Sequence, residues 1–173
     1  MTLTDKIAVS SAAIALLSFL GTVFFAKRAS SASQKALENA ERANQIATGQ
    51  TETSLREYIS ATRTRMEDAG YKIQDLLRGR QRSELDEAEL NHLGYLQTSW
   101  RSAVEDHLNA YEDACGKFID NKTDATRFKK AYVNELQTLC SPSHESFARL
   151  LHPQATSKYE AIWKVYMQWH RHE

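Results

Sequence analysis

Proline is nearly missing from this chain: 173 residues hold two, Pro142 and Pro153, beside six glycines. A sequence so poor in helix breakers and β-branched runs, and rich in Ala, Leu, Glu, Lys, Arg and Gln, predicts an all-α fold. Cysteine is scarce as well. Cys115 and Cys140 are too few for a disulfide scaffold and lack the Cys-x-x-Cys spacing of redox and zinc sites. Each sits among apolar helix positions, which reads as a small buried side chain. Net charge is zero, with 22 basic residues against 22 acidic ones. A dedicated nucleic-acid binder needs a basic surplus to displace counterions from phosphates, so no nucleic-acid partner is expected. There is no glycine-rich phosphate loop, no Gly-x-Ser-x-Gly elbow and no His-Glu-x-x-His helix. No catalytic residue, cofactor-binding residue or cofactor is assigned.

One long apolar run is present. IAVSSAAIALLSFLGTVFFA, residues 7–26, carries no charge between Lys6 and Lys27. As a helix rising about 1.5 Å per residue it covers roughly 30 Å, the hydrocarbon thickness of a bilayer. A signal peptide has a shorter apolar stretch, about 7–15 residues, followed by a neutral cleavage region; here Lys27 and Arg28 follow directly. A buried core helix is the other reading, but Phe19, Leu20, Val23, Phe24 and Phe25 leave no polar face for water. Residues 7–26 are therefore expected to form a transmembrane helix, with 1–6 as a short non-cytoplasmic tail. Lys6, offset by Asp5, stands before the run; Lys27, Arg28, Lys35 and Arg42 follow it. The positive-inside bias keeps the following chain in the cytoplasm. In a bacterium this is a single-pass inner-membrane protein with its N-terminus out, the lipid bilayer as partner, and two reduced thiols.

Residues 27–79 read as a long helical rod. Ala29, Ala32, Ala36, Ala40, Ala43 and Ala47 recur at spacings of three and four, which places them on one face. Larger residues then continue the stripe as a heptad-like pattern through Leu55, Ile59, Thr62, Met66, Ile73 and Leu76, giving a coiled-coil-like helix. Extra four-residue steps between Ala47 and Ile59 read as a stutter. A continuous rod of this kind measures roughly 70 Å. Ala36, Ala40, Ala43, Ala47, Leu55 and Ile59 are candidate self-association residues, making a homo-oligomer one expectation. The competing reading is that the stripe packs on the chain's own C-terminal helices, since alanine buries little apolar surface.

Residues 80–173 are expected to form a small helical bundle. Ser83 is a candidate N-cap for a helix whose apolar face carries Leu93, Leu96, Trp100, Val104, Leu108 and Tyr111, ending near Ile119. Thr123 or Asp124 caps a third helix holding Phe128, Tyr132, Leu136 and Leu139. Ser141 and Pro142 are placed to open a short helix through Phe147 and Leu151. Ser157 and Glu160, at capping-box spacing, open a last helix with Ile162, Trp163, Tyr166 and Trp169 on its apolar face. Aromatics at helical spacing read as core.

Chemistry-bearing pairs are few. Glu89 and His92 form one Glu-x-x-His pair on a helix face, the weak candidates for a metal, whereas a di-iron bundle needs two such pairs and two further glutamates. Solvated helix surface is the plainer reading. Glu105, Asp106, His107, Glu112 and Asp113 read as a charged, wet patch.

The segment LNAYEDACGKFIDNKTDATRFKKAYVNELQTLC, continuing to SKYEAIWKVYMQWH, resembles small bacterial membrane-anchored helical proteins, a family of unknown function. The resemblance covers residues 108–170 and the general layout. It implies an anchor, a long helix and a C-terminal helical domain with Tyr-Glu-x-Ala-Cys and Arg-Phe-Lys-Lys patterns. No activity follows from it. Arg127, Phe128, Lys129 and Lys130 match the second pattern and are candidate partner contacts. The function expected is a membrane-tethered scaffold whose C-terminal bundle engages a cytoplasmic protein. The alternatives are a metal-dependent enzyme or sensor in that bundle and a membrane-associated defence or stress protein.

Overall fold

The computed structural model describes the backbone of residues 3–170 and the side chains of residues 22 and 25–170. All regular structure in it is helical: α1 (Leu3–Leu77), α2 (Glu87–Ile119), α3 (Ala125–Cys140), α4 (Glu145–Leu151) and α5 (Glu160–His170), with short 3₁₀ turns at Arg82–Glu84 and Gln154–Thr156. Among the described residues no helix is long and apolar enough to cross a membrane. The anchor expected at 7–26 falls, except for Thr22, Phe25 and Ala26, on side chains outside the described residues.

Two compact units divide the chain, Met1–Ala47 and Thr48–Glu173. In the first, every side chain from 25 to 47 is exposed, including Leu37 and Ile46. The second unit takes in residues 48–77 of α1 together with α2–α5. The boundary read at 79/80 is thus a turn within the bundle; the compact unit begins about thirty residues earlier, where the alanine stripe gives way to large aliphatics. Leu55 and Ile59 join Val104, Leu108, Leu136 and Ile162 in one core. α5 packs on α2 and α3, and α4 packs on the same two helices.

The turn after α1 explains itself locally. Arg78 and Gly79 take φ of 43° and 80°, the left-handed region that glycine enters without a Cβ penalty. The Arg80 N–H donates to the Leu77 carbonyl at 2.7 Å, closing the turn. α2 then opens one turn later than Ser83. Asp86 is the cap: its Oδ1 accepts from the Glu89 N–H at 2.8 Å, and Glu89 Oε2 accepts from the Asp86 N–H at 3.1 Å. This reciprocal capping box outcompetes Ser83, which lies in the 3₁₀ turn. Buried Leu85 precedes the cap and anchors the entry.

Asp124 caps α3 through the Arg127 N–H at 2.8 Å, as its spacing predicts. Ser141 closes α3 instead of opening α4: its N–H donates to the Thr138 carbonyl, and Pro142 lies in the following turn. α4 begins at Glu145. Two bonds tie the ends of these helices together. His152 Nε2 lies 3.0 Å from the Cys140 carbonyl, and Trp163 Nε1 donates to the Leu151 carbonyl at 3.2 Å.

Candidate functional site

The stripe of α1 that faces the bundle carries Arg63, Glu67, Gly70, Tyr71 and Gln74 one turn apart. Trp100, His107 and Tyr111 of α2 share a face at spacings of seven and four. Glu135, Thr138 and Leu139 come from α3, while His144 and Phe147 stand at the start of α4. Together these side chains line a cleft of about 570 Å³.

Its wall is a closed polar network. Arg63 donates through one terminal nitrogen to Glu135 Oε1 at 2.8 Å and to the Tyr111 hydroxyl at 3.2 Å. The Tyr111 hydroxyl in turn donates to Glu135 Oε2 at 2.6 Å. Both oxygens of Glu135 are engaged. The hydrogen bond to Glu135 raises the Arg63 pKa further; burial, then Glu135, raise that of the Tyr111 phenol. Three residues 24 to 72 positions apart therefore clasp α1, α2 and α3.

His107 lies behind this network, 3 % exposed. Its Nδ1 is 3.0 Å from the hydroxyl of Thr62, itself buried. Thr62 Oγ1 also lies 3.0 and 3.1 Å from the Ile59 and Tyr58 carbonyls, which take its single proton. Donation from Nδ1 lets the hydroxyl keep its carbonyl bonds, the arrangement that satisfies most groups, and it leaves Nε2 as the lone-pair acceptor. Burial, reinforced by the charge of Arg63 and opposed by Glu135, pushes the His107 pKa down to about 4. At neutral pH the ring is uncharged. Its ring packs edge-on to Tyr111, with centroids 5.1 Å apart, and lies 6.2 Å from the ring of Phe147.

His107 and Glu112 overturn the reading of a wet acidic patch. Glu112 accepts from the backbone N–H groups of Ala161 and Ile162, at 2.8 and 3.0 Å. It caps α5 from another helix, satisfying two donors that helix geometry leaves open. Ser157 is not that cap; its hydroxyl accepts from the Tyr159 N–H at 3.3 Å, before the helix begins. Glu105 does face water and pairs with Lys158 at 3.3 Å.

The residues singled out by sequence separate into distinct places. Glu89 is held by the capping box and by Arg80 at 2.8 Å; those two bonds, Arg80 first, lower its pKa. His92 is exposed on α2. Among the described residues no group of three or more His, Cys, Asp or Glu is arranged to hold a metal ion. Ala36, Ala40, Ala43 and Ala47 are exposed in the first unit. Leu55 and Ile59 are 2 % and 4 % exposed, covered by the chain's own bundle. Phe128 is also core, stacked on Phe118 at 5.0 Å. Around it, Arg127 pairs with Glu52 at 3.5 Å, Lys129 lies 6.0 Å over Trp169, and Lys130 is exposed. Cys115 and Cys140 are free and buried; burial raises both thiol pKa values, Cys140 to about 12, so both are protonated and poorly nucleophilic.

No family model, curated protein or solved structure matches this chain. The site's chemistry has to be read from its own groups. Arg63 and Glu135 neutralise each other, Glu67 is exposed, and His107 is uncharged at neutral pH.

Proposed function

We propose that this protein is a membrane-tethered cytoplasmic interaction module that self-associates through its long first helix. Residues 7–26 anchor it, since a charge-free run of that length followed by Lys27 and Arg28 fits a bilayer and the positive-inside bias. The layout is also the one implied by the resemblance to small bacterial membrane-anchored proteins. One observation carries the self-association. From 25 to 47 every side chain is exposed although α1 is continuous, and that stretch includes Leu37, Ile46 and the alanine face. A helix so exposed over so many turns is marginal in water and gains from a second copy. Ala36, Ala40, Ala43 and Ala47 let two such helices approach closely, while Leu55 and Ile59 are occupied within the bundle.

The second unit, Thr48–Glu173, is then the part that engages a cytoplasmic partner. Exposed Lys130, with Arg127 and Lys129 beside it, offers a basic face for that contact. Two experiments test the reading. Reporters fused after Arg28 and at Glu173 should both report the cytoplasm; periplasmic signals would refute the orientation. Cysteines placed at Ala36 and Ala43 should crosslink to dimers in membranes, and exclusively monomeric product would refute self-association.

A further inference from the structure

We infer that the cleft between α1, α2, α3 and the start of α4 binds a small organic cation, a protonated amine carried on an apolar or aromatic body. The site lies wholly within Thr48–Glu173 and stands whether or not residues 7–26 lie in lipid.

Size comes first. About 570 Å³ suits a molecule of metabolite size. Shape and lining come next. The Trp100 ring runs along the α1 backbone at Gly70, where an added Cβ would stand 3.7 Å from Nε1. Tyr71, 67 % exposed, stands at the rim, and Phe147 closes the other side against His144, with ring centroids 4.9 Å apart. Aromatic faces attract a cation through their quadrupoles and give its apolar body a surface to bury.

Charge and hydrogen bonding decide the sign. The lining has one guanidinium, Arg63, and two carboxylates, Glu67 and Glu135. Arg63 is committed to Glu135, so Glu67 is the carboxylate left to meet a ligand. Glu67 sits four residues before Tyr71 on the same face of α1, so carboxylate and rim aromatic are neighbours. Deeper in, His107 Nε2 has no hydrogen-bond partner among the described residues and is not among their fully enclosed orphan atoms. This side chain, more than nine-tenths buried, is one of those that line the cleft. An ammonium supplies the N–H donors that Nε2 and Glu67 lack. A carboxylate ligand would meet Glu67 and Glu135 with no uncommitted guanidinium to offset them.

The test uses the full chain in detergent micelles near neutral pH, titrated by calorimetry with phenethylamine and, in parallel, with 3-phenylpropionate. The two probes share a phenyl ring and differ in the sign of the terminal group. Phenethylamine should saturate one site per chain, at least about tenfold more tightly than the anion. Glu67→Gln, an exposed and isosteric change, should weaken the amine about tenfold while leaving tryptophan emission unchanged. Micellar uptake of the amine is insensitive to that variant, so it cannot mimic the result. Equal affinities for amine and carboxylate, unaltered amine affinity in Glu67→Gln, or no saturable binding would each overturn the assignment.

Discussion

Lowering the pH should destabilise the bundle through one imidazole. His107 has a pKa of about 4 in the folded protein against 6.5 when exposed, because burial and then Arg63 disfavour the imidazolium. The unfolded chain therefore binds the proton first. Stability contributed by the neutral ring is fully present above the unfolded value and is lost as pH falls from about 6.5 towards about 4. Linkage between those two values gives a loss of up to about 2 kcal/mol at pH 5 and about 3 kcal/mol at pH 4. Carboxylates also take up protons over this range, so wild type alone is ambiguous. His107→Asn resolves it: the amide still donates to Thr62 but does not titrate. The gap in unfolding free energy between wild type and variant should shrink by about 2 kcal/mol between neutral pH and pH 5, or roughly 1 M in urea midpoint. Trp100, Trp163 and Trp169 all lie in Thr48–Glu173, so tryptophan emission of the full chain reports this unit alone. A gap that stays constant with pH would refute the reasoning.

Glu112→Ala removes two charge-assisted acceptors from the first turn of α5 and should cost about 2–3 kcal/mol, read as a lower urea midpoint. Faster amide exchange at Ala161 and Ile162 should accompany it, and unchanged exchange there would contradict the capping role. Gly79→Ala should cost about 1 kcal/mol through its backbone alone, since an added Cβ meets nothing within 4 Å at a φ of 80°; a neutral effect in the same melt would argue against the left-handed turn. Cys115 and Cys140 should resist a thiol reagent in the folded protein and react once urea unfolds it, because both are buried and protonated; rapid labelling without denaturant would show otherwise.

What was legible in the sequence was periodic. The scarcity of proline and glycine pointed to an all-helical chain, and three-four spacing placed Leu93, Leu96, Val104, Leu108 and Tyr111 correctly on the buried face of α2. Asp124 was readable as a cap because its partner is three residues away. Glu112 was not readable. The N–H groups it caps are 49 and 50 residues on, and nothing in local spacing distinguishes such a carboxylate from the wet ones beside it. Arg63 and Glu135 were invisible for the same reason, at a separation of 72. His107 is different. It was read as part of the wet patch because of its acidic neighbours, although it falls three residues after Val104 and four before Tyr111, and that apolar-face register was the signal for the burial it shows.

One helix thus serves two physical regimes, and the side chains say where the change occurs. Through Ala47 the repeated face is alanine, whose burial yields little, and every side chain from 25 to 47 is exposed. From Leu55 the same register carries residues able to contribute about 1.5–3 kcal/mol each when enclosed, and Leu55, Ile59 and Thr62 are enclosed. Polar groups then add direction to that apolar grip. Thr62 meets His107, and the next residue, Arg63, meets Tyr111 and Glu135, so consecutive positions bind α2 and α3. Hydrophobic burial alone would tolerate a slide of α1 by one heptad. A buried imidazole and a committed guanidinium do not, because each slipped register strands a polar group without its partner. The cleft inherits its geometry from that lock: Glu67 and Tyr71 sit one and two turns beyond Arg63, on the cleft that Trp100 and His107 also line.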